Sequence, residues 1–254
     1  MAALLNVFCF PFAGGSSWNY LDLVRQLDGK LRVIPVELPG RGKRRTETPI
    51  AQWSELTDRL ADELAPRLEA PYAFFGYSLG ALIALETQRE LIRRHPERRA
   101  QTLIACAARG PRAIRHERLM HRMDDQAMFE AVRKLGGIPD AVLESPELIQ
   151  LTAPSMRADL CLFETYEAGK PPLDLPIHAY YGRSDASVGE HYLAWQHETL
   201  HPLRSRAFHG GHMFLHDAGA VLADALVKDL VPHANARPAF ADTLDARWES
   251  TEES

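Results

Sequence analysis

Only three cysteines occur in the 254 residues, at positions 9, 106 and 161. Their number is odd, their spacing wide and their neighbours apolar. That pattern speaks against a disulfide framework and for buried, reduced thiols in a cytoplasmic chain. No apolar run is long enough to span a membrane. The N-terminal run Leu4 to Phe10 has no basic leader and no small-residue cleavage site, and it stops at Pro11. It therefore reads as a strand rather than a signal segment. Positive charge is not in surplus either: the net charge is -5, which argues against a general nucleic-acid binder. Glycines at Gly-x-Gly-x-x-Gly spacing are missing, so a phosphate cradle is set aside. No Cys/His cluster has the spacing of a metal site. Internal repeats and a second domain boundary are also lacking.

What is present is ordinary for a globular domain: 46% hydrophobic and 25% charged residues. Strand-like apolar runs lie at Leu4 to Phe10, Leu31 to Leu38, Tyr72 to Phe75, Thr102 to Ala107, Ile177 to Tyr181 and Ser205 to Phe208. Helix-like stretches lie at Trp18 to Leu27, Ser54 to Leu68, Leu79 to His95, Val188 to Thr199 and Val221 to Leu230. Near-continuous apolar strands alternating with amphipathic helices predict an α/β fold, with a mostly parallel sheet covered by helices on both faces.

One segment, about 112–175, breaks the alternation. It offers helical patterns at Asp124 to Leu135, Ala141 to Leu143 and Pro146 to Tyr166, punctuated by Gly136, Gly137, Pro139, Pro146 and Pro154. A helical insertion between two sheet strands predicts a lid that moves and gates a site. Met128, Phe129, Val132 and Leu135 are expected to be divided between facing the sheet and lining a pocket. The expected domain is 1–232, followed by a polar tail, 233–254, which is expected to be flexible.

Gly76-Tyr77-Ser78-Leu79-Gly80 follows an apolar run and opens a helical stretch. Strand, Gly-x-Ser-x-Gly turn and helix together form the nucleophile elbow of the α/β-hydrolase fold. A serine hydroxyl attacks well only when a base takes its proton. In this fold the partners follow in the order serine, acid, histidine. His212 lies in the loop between the last strand and the last helix, just after Gly210-Gly211. His209 is its competitor. Asp185 follows the strand Ile177 to Tyr181, at its carboxyl end. Asp174 precedes that strand, and Asp217 lies beside a helix start where capping would explain it. Catalysis is therefore expected from Ser78, Asp185 and His212. The oxyanion hole is expected from the backbone N–H of Leu79 and a second donor in Pro11-Phe12-Ala13-Gly14-Gly15, with Ala13 as the choice and Phe12 as the alternative. Pro39-Gly40-Arg41-Gly42 reads equally as a turn or a substrate contact. No cofactor or metal is needed for this chemistry.

The sequence resembles the type II (external, editing) thioesterases of nonribosomal peptide and polyketide synthesis, such as the surfactin-associated thioesterase. The resemblance covers about Leu5 to Leu230. It rests on Cys9 to Gly15, Pro39 to Gly42, the Gly76 to Gly80 elbow and Gly210 to Phe214. Two lid stretches, Leu135-Gly136-Gly137-Ile138-Pro139 and Pro154-Ser155-Met156-Arg157-Ala158-Asp159, carry it most specifically. It implies that Ser78, Asp185 and His212 are nucleophile, acid and base. It implies acyl or aminoacyl thioesters on the phosphopantetheine arm of carrier proteins as substrates. A monomer without nucleic-acid or membrane partners is expected. One departure is Tyr77, where the family usually has His, and a change in local pocket polarity is expected from it. Arg112, Arg115, Arg118 and Arg122 are expected to help dock an acidic carrier. The rival readings are a generic small-molecule serine esterase and a non-catalytic synthase-interaction module.

Overall fold

A computed structural model describes residues 4–68, 71–115, 119–134 and 140–234. The tail beyond 234 and the stretch 135–139, which includes Leu135, lie outside the described residues. Arg118 does too.

The chain runs β1 (Asn6–Phe10), α1 (Leu21–Gln26), β2 (Arg32–Pro35), α2 (Trp53–Leu64), β3 (Tyr72–Tyr77), α3 (Leu79–Arg94) and β4 (Leu103–Cys106). The insertion follows, with α4 (Asp125–Arg133), α5 (Asp140–Leu143) and α6 (Pro146–Glu164). Then come β5 (Ile177–Gly182), β6 (Arg204–Phe208), α7 (Phe214–Asp217) and α8 (Gly219–Ala234). The strands pair in the order β2-β1-β3-β4-β5-β6, and every neighbouring pair is parallel.

Successive side chains of a strand leave opposite faces, so each central strand needs apolar residues throughout. Phe8 and Phe10 of β1 join Phe74, Leu103 and Ala105 in one core layer with α2 and α3. Val7 and Cys9 join Ala73, Phe75, Ile104 and Cys106 in the other, against α8. Helix α2 buries Leu56, Leu60, Ala61 and Leu64, a single stripe at helical spacing. The expected α/β-hydrolase architecture is therefore what forms.

Two elements differ from expectation. The second strand is expected to run from Leu31 to Leu38, yet β2 ends at Pro35. Proline has no N–H to donate and is confined to sheet edges, and β2 is one of the two edge strands. The residues 188–199 do not form an α-helix. Gly189–Glu198 is a run of 3₁₀ turns, bound to the chain after β4 by Trp195 Nε1–H donating to Ala108 O at 3.0 Å.

The insertion contains no strand among the described residues. It has its own small core, in which Met128 and Phe129 pack against Ile149, Ala153, Met156 and Leu160. Those two lid residues thus face α6 rather than the sheet. Among the described residues, no helix is long and apolar enough to cross a membrane.

Candidate active site

The elbow is enforced by sterics. Ser78 has φ 52° and ψ -118°, a strained conformation for a residue with a Cβ. A Cβ on Gly76 would lie 2.3 Å from Gly80 O, and one on Gly80 would lie 2.2 Å from Phe10 O. Only glycine at both positions lets strand, helix and the β1 loop close up. Ser78 N–H donates to Cys106 O at 2.8 Å, which fixes the turn to β4. The hydroxyl then stands above the carboxyl edge of the sheet, at the positive end of the α3 dipole.

His212 arrives from the loop after β6. Its Nε2 lies 3.1 Å from Ser78 Oγ, and its Nδ1 lies 2.8 Å from Asp185 Oδ2. This is the tautomer arrangement in which Nδ1–H faces the carboxylate and Nε2 can accept the serine proton. Asp185 is buried, and its Oδ1 accepts from Ser187 N–H at 2.9 Å, Ser187 Oγ–H at 2.5 Å and Val188 N–H at 3.1 Å. Burial alone would raise its pKa. The bonds from His212 and Ser187 outweigh burial and hold it below the usual carboxylate value. The carboxylate therefore stays charged where the imidazole needs it.

The structure thus brings Ser78, Asp185 and His212 together. It does not bring the competitors there. His209 is exposed at the end of β6. Asp174 is exposed and pairs with His201 Nε2 at 2.9 Å. Asp217 ends the short helix α7, just before α8 begins at Gly219.

Three further groups shape the site: Ser187, which the sequence did not single out, and Tyr77 and Arg41, which it singled out for other reasons. Ser187 Oγ sits 3.2 Å from His212 Nδ1 as well as on Asp185. The Asp-x-Ser spacing of 185 and 187, an Asx-turn signal, could have revealed it. Tyr77, fully buried, donates its hydroxyl to His212 O at 2.6 Å and accepts Leu215 N–H at 3.2 Å. Its departure from the family residue therefore bears on the His212 backbone, because Tyr77 is not part of the pocket wall. Arg41 is neither a simple turn residue nor a pocket residue: its guanidinium is buried against Asp159 of α6. Sequence separation hides that pair.

Above Ser78 opens a cavity of about 460 Å³. Ala13 and Leu79 line its floor with Ser78 and His212, and Leu82, Val132, Leu160 and Phe163 supply apolar walls. Arg109, Arg115 and Lys134 add positive charge to the lining. Arg112, Arg115 and Arg122 are exposed. The first N–H of a helix has no intrahelical acceptor, so Leu79 N–H is left free for a ligand oxygen. The lid is fastened to the body. Trp53 Nε1–H of α2 donates to Leu162 O of the lid at 2.8 Å, while within the lid Glu164 accepts from Met120 N–H at 2.7 Å and His121 N–H at 3.1 Å. Among the described residues, no group of three or more His, Cys, Asp or Glu is gathered as a metal would require.

Comparisons with known proteins point to one family. The family model for the thioesterase domain matches residues 6–230. "Thioesterase PikA5" of Streptomyces venezuelae is 33% identical over 216 residues, covering 84% of this chain and 76% of the relative. The solved structure of the RedJ thioesterase, from the prodiginine biosynthetic pathway in Streptomyces coelicolor, superposes with a TM-score of 0.82 at 34% identity. That match covers 90% of this chain and 91% of RedJ. The type II thioesterase BorB of the borrelidin biosynthetic cluster gives a TM-score of 0.80 at 30% identity, over 92% and 94% of the two chains. The family match runs from the first residue of β1 into α8 and leaves no strand of the sheet outside it; this chain belongs to the thioesterase domain family.

Proposed function

We propose that the chain is a type II thioesterase of a nonribosomal peptide or polyketide pathway. It hydrolyses acyl or aminoacyl thioesters from the phosphopantetheine arm of a carrier protein, and so clears aberrant groups from the synthase. The observation that carries this reading is the Ser78–His212–Asp185 chain, at 3.1 and 2.8 Å, opening into a lid-covered, largely apolar cavity. RedJ is named as a thioesterase of a biosynthetic pathway and BorB as a type II thioesterase of a biosynthetic cluster, which supports the carrier-bound substrate.

In this reading Ser78 Oγ attacks the thioester carbonyl carbon while His212 Nε2 takes the hydroxyl proton. The carbonyl oxygen becomes an oxyanion held by the N–H groups of Leu79 and Ala13. Collapse breaks the C–S bond, and the imidazolium gives its proton to the departing pantetheine thiolate. Water, deprotonated by His212, then attacks the acyl-serine ester; the C–Oγ bond breaks, Ser78 Oγ takes the proton back from the imidazolium, and the free acid is released. Asp185 holds the imidazole in the right tautomer and stays ionised throughout. The reaction itself uses no cofactor, since the pantetheine arm comes with the substrate. The chain acts as a cytoplasmic monomer, and the exposed arginines 112, 115 and 122 face the acidic carrier.

The test is turnover of acyl groups loaded on carrier proteins, beside matched oxygen esters, by the parent and by Ser78→Ala. The parent is expected to prefer the carrier thioester. Ser78→Ala is expected to lose about 10³-fold or more in rate with its fold intact by circular dichroism. Residual turnover within about tenfold of the parent would place the nucleophile elsewhere. Equal rates on oxygen esters would favour the generic esterase.

A further inference from the structure

Two sequence motifs take no part in the triad: Pro39-Gly40-Arg41-Gly42 and Arg157-Ala158-Asp159. They meet in the interior. Arg41 comes from the turn after β2, and Asp159 from the middle of the lid helix α6. Arg41 Nη1 donates to Asp159 Oδ2 at 2.6 Å, and Nη2 donates to Oδ1 at 2.7 Å. The two side chains are 7% and 1% exposed. Burial works against the guanidinium charge, but the Asp159 charge and hydrogen bonds outweigh it and hold the Arg41 pKa above its ordinary value.

The pair does not end on itself. Asp159 Oδ2 also accepts the Gly14 N–H at 2.8 Å, and Arg41 Nη1 also donates to Gly15 O at 3.2 Å. Gly15 N–H donates to Phe12 O at 2.8 Å, which closes a tight turn with Ala13 and Gly14 at its centre. Gly14 has φ +73°, and a Cβ there would lie 2.4 Å from Met156 Cε of α6. One turn of the lid helix therefore presses on this loop through Met156 and grips it through Asp159. On the other side Gly80 lies against Phe10 and Pro11. The loop has almost no freedom as long as α6 stays in place.

A buried ion pair is weak support for stability as such, because a well-packed apolar pair often does as well. Arg41 even leaves its Nε–H buried with no partner among the described residues. What an apolar pair could not do is hold a backbone N–H in a set direction. We infer that Asp159 and Arg41 are positioning residues of the oxyanion hole. Together they peg the Ala13–Gly14 turn to lid helix α6, so that the Ala13 donor is in place only when the helix is seated. Lid position and oxyanion stabilisation are then one mechanical unit. This inference rests on the serine-hydrolase reading of the site, but not on the identity of the carrier.

The test uses Asp159→Asn, which keeps the size of the side chain and removes its charge. Three readouts are compared with the parent: kcat and KM on a small soluble thioester, affinity for an alkyl trifluoromethyl ketone, and the labelling rate of Ser78 by a fluorophosphonate. The ketone and the fluorophosphonate both place a developing oxyanion in the hole. Loss of one oxyanion donor costs roughly 10²–10³-fold in other hydrolases, and a displaced donor costs less. The expected result is therefore a fall of about 10–100-fold in kcat, with KM changed less than about threefold. Ketone affinity and labelling rate should fall in step with kcat, while affinity for a non-hydrolysable thioether analogue of the substrate should hold. A folded variant with parental kcat, labelling rate and ketone affinity, and only a lowered melting temperature, would show a plain structural staple and overturn the inference. If Asp159→Asn does not fold, the double variant Arg41→Met with Asp159→Leu removes both charges and carries the same test. Failure of the parent to hydrolyse carrier-bound thioesters, with normal fluorophosphonate labelling, would sink the proposed substrate and leave this inference standing.

Discussion

Tyr77 shows how much a single hydroxyl can be asked to do. It precedes Ser78 in the chain, yet its hydroxyl contacts the His212 loop. The hydroxyl donates to the carbonyl of His212 and accepts the N–H of Leu215, so it fixes the backbone on which the imidazole hangs. Burial pushes its own pKa well up, and the hydroxyl keeps its proton for His212 O. Tyr77→Phe removes one oxygen and leaves the ring in place. The half-buried His212 carbonyl and the buried Leu215 N–H then lose this partner, at up to about 1–3 kcal/mol each. Stability is expected to fall by roughly that of one such group, because local relaxation admits water to the other. Turnover of a small thioester is expected to fall by about 3–30-fold, since a misplaced base costs rate steeply. Thermal melting and steady-state kinetics check both. Parental kcat in Tyr77→Phe would mean that the His212 loop holds itself. None of this was readable from the chain, where Tyr77 registers only as a departure from the family residue. That Ser78, Asp185 and His212 come together was readable because each follows a strand of the sheet and the fold sets their order.

At the scale of elements, the glycines before His212 separate two jobs that sequence alone merges. The pair Gly210-Gly211 suggests that both positions allow close approach to the serine. Gly210, at φ +114°, does need glycine. At Gly211 a Cβ would meet nothing nearer than Ser184 O at 3.9 Å. The close approach belongs instead to Gly182 at the end of β5, where a Cβ would lie 2.4 Å from Gly211 O. Gly211→Ala is therefore expected to keep turnover within about twofold, because an open site with ordinary backbone tolerates alanine. Gly182→Ala must push the His212 loop away from Asp185, and is expected to lose about 100-fold or more in kcat. The same assay on both variants decides it, and equal effects would refute the assignment. The elbow glycines were legible because their constraint is local to five residues. The truncation of β2 was legible only in part: Pro35 stands in the sequence, but its position at the sheet edge does not. The 3₁₀ run 189–198 was not legible at all; it packs on the distant Gly110, whose Cβ would lie 2.3 Å from Ala194 C, and no local pattern shows that contact. The Arg41–Asp159 pair spans 118 positions, and no periodicity connects them.

For the whole molecule, the sum of its carboxylates sets the response to acid. Glu90 is held by Arg93 and Arg94, and its pKa drops from 4.5 to about 2. Asp229 is held below its ordinary value: burial opposes this, but Arg206 and Tyr180 outweigh it. Asp185 is lowered in the same manner by His212 and Ser187. A carboxyl whose folded pKa is depressed adds stability that is fully present above its unfolded pKa and vanishes as pH falls through the folded one. Glu198 runs the other way, because burial raises its pKa, so its protonation favours the fold as pH drops. Glu47, Glu63 and Glu147 are held below their ordinary values too, so among the described residues six depressed carboxyls against one raised one leave a net loss in acid. The window follows from Glu90: little change above about pH 4.5, then a steepening loss toward pH 2. Melting temperature is therefore expected to be nearly level from pH 7 to 5 and to fall sharply below pH 4.5, followed by circular dichroism at constant ionic strength. Asp185→Asn takes one depressed carboxyl out of the sum, so its melting curve should depend less steeply on acid than the parent's. A melting temperature that stays flat down to pH 3, or an identical slope in Asp185→Asn, would show that these charges are compensated in the unfolded chain. The triad carboxylate would then serve orientation alone.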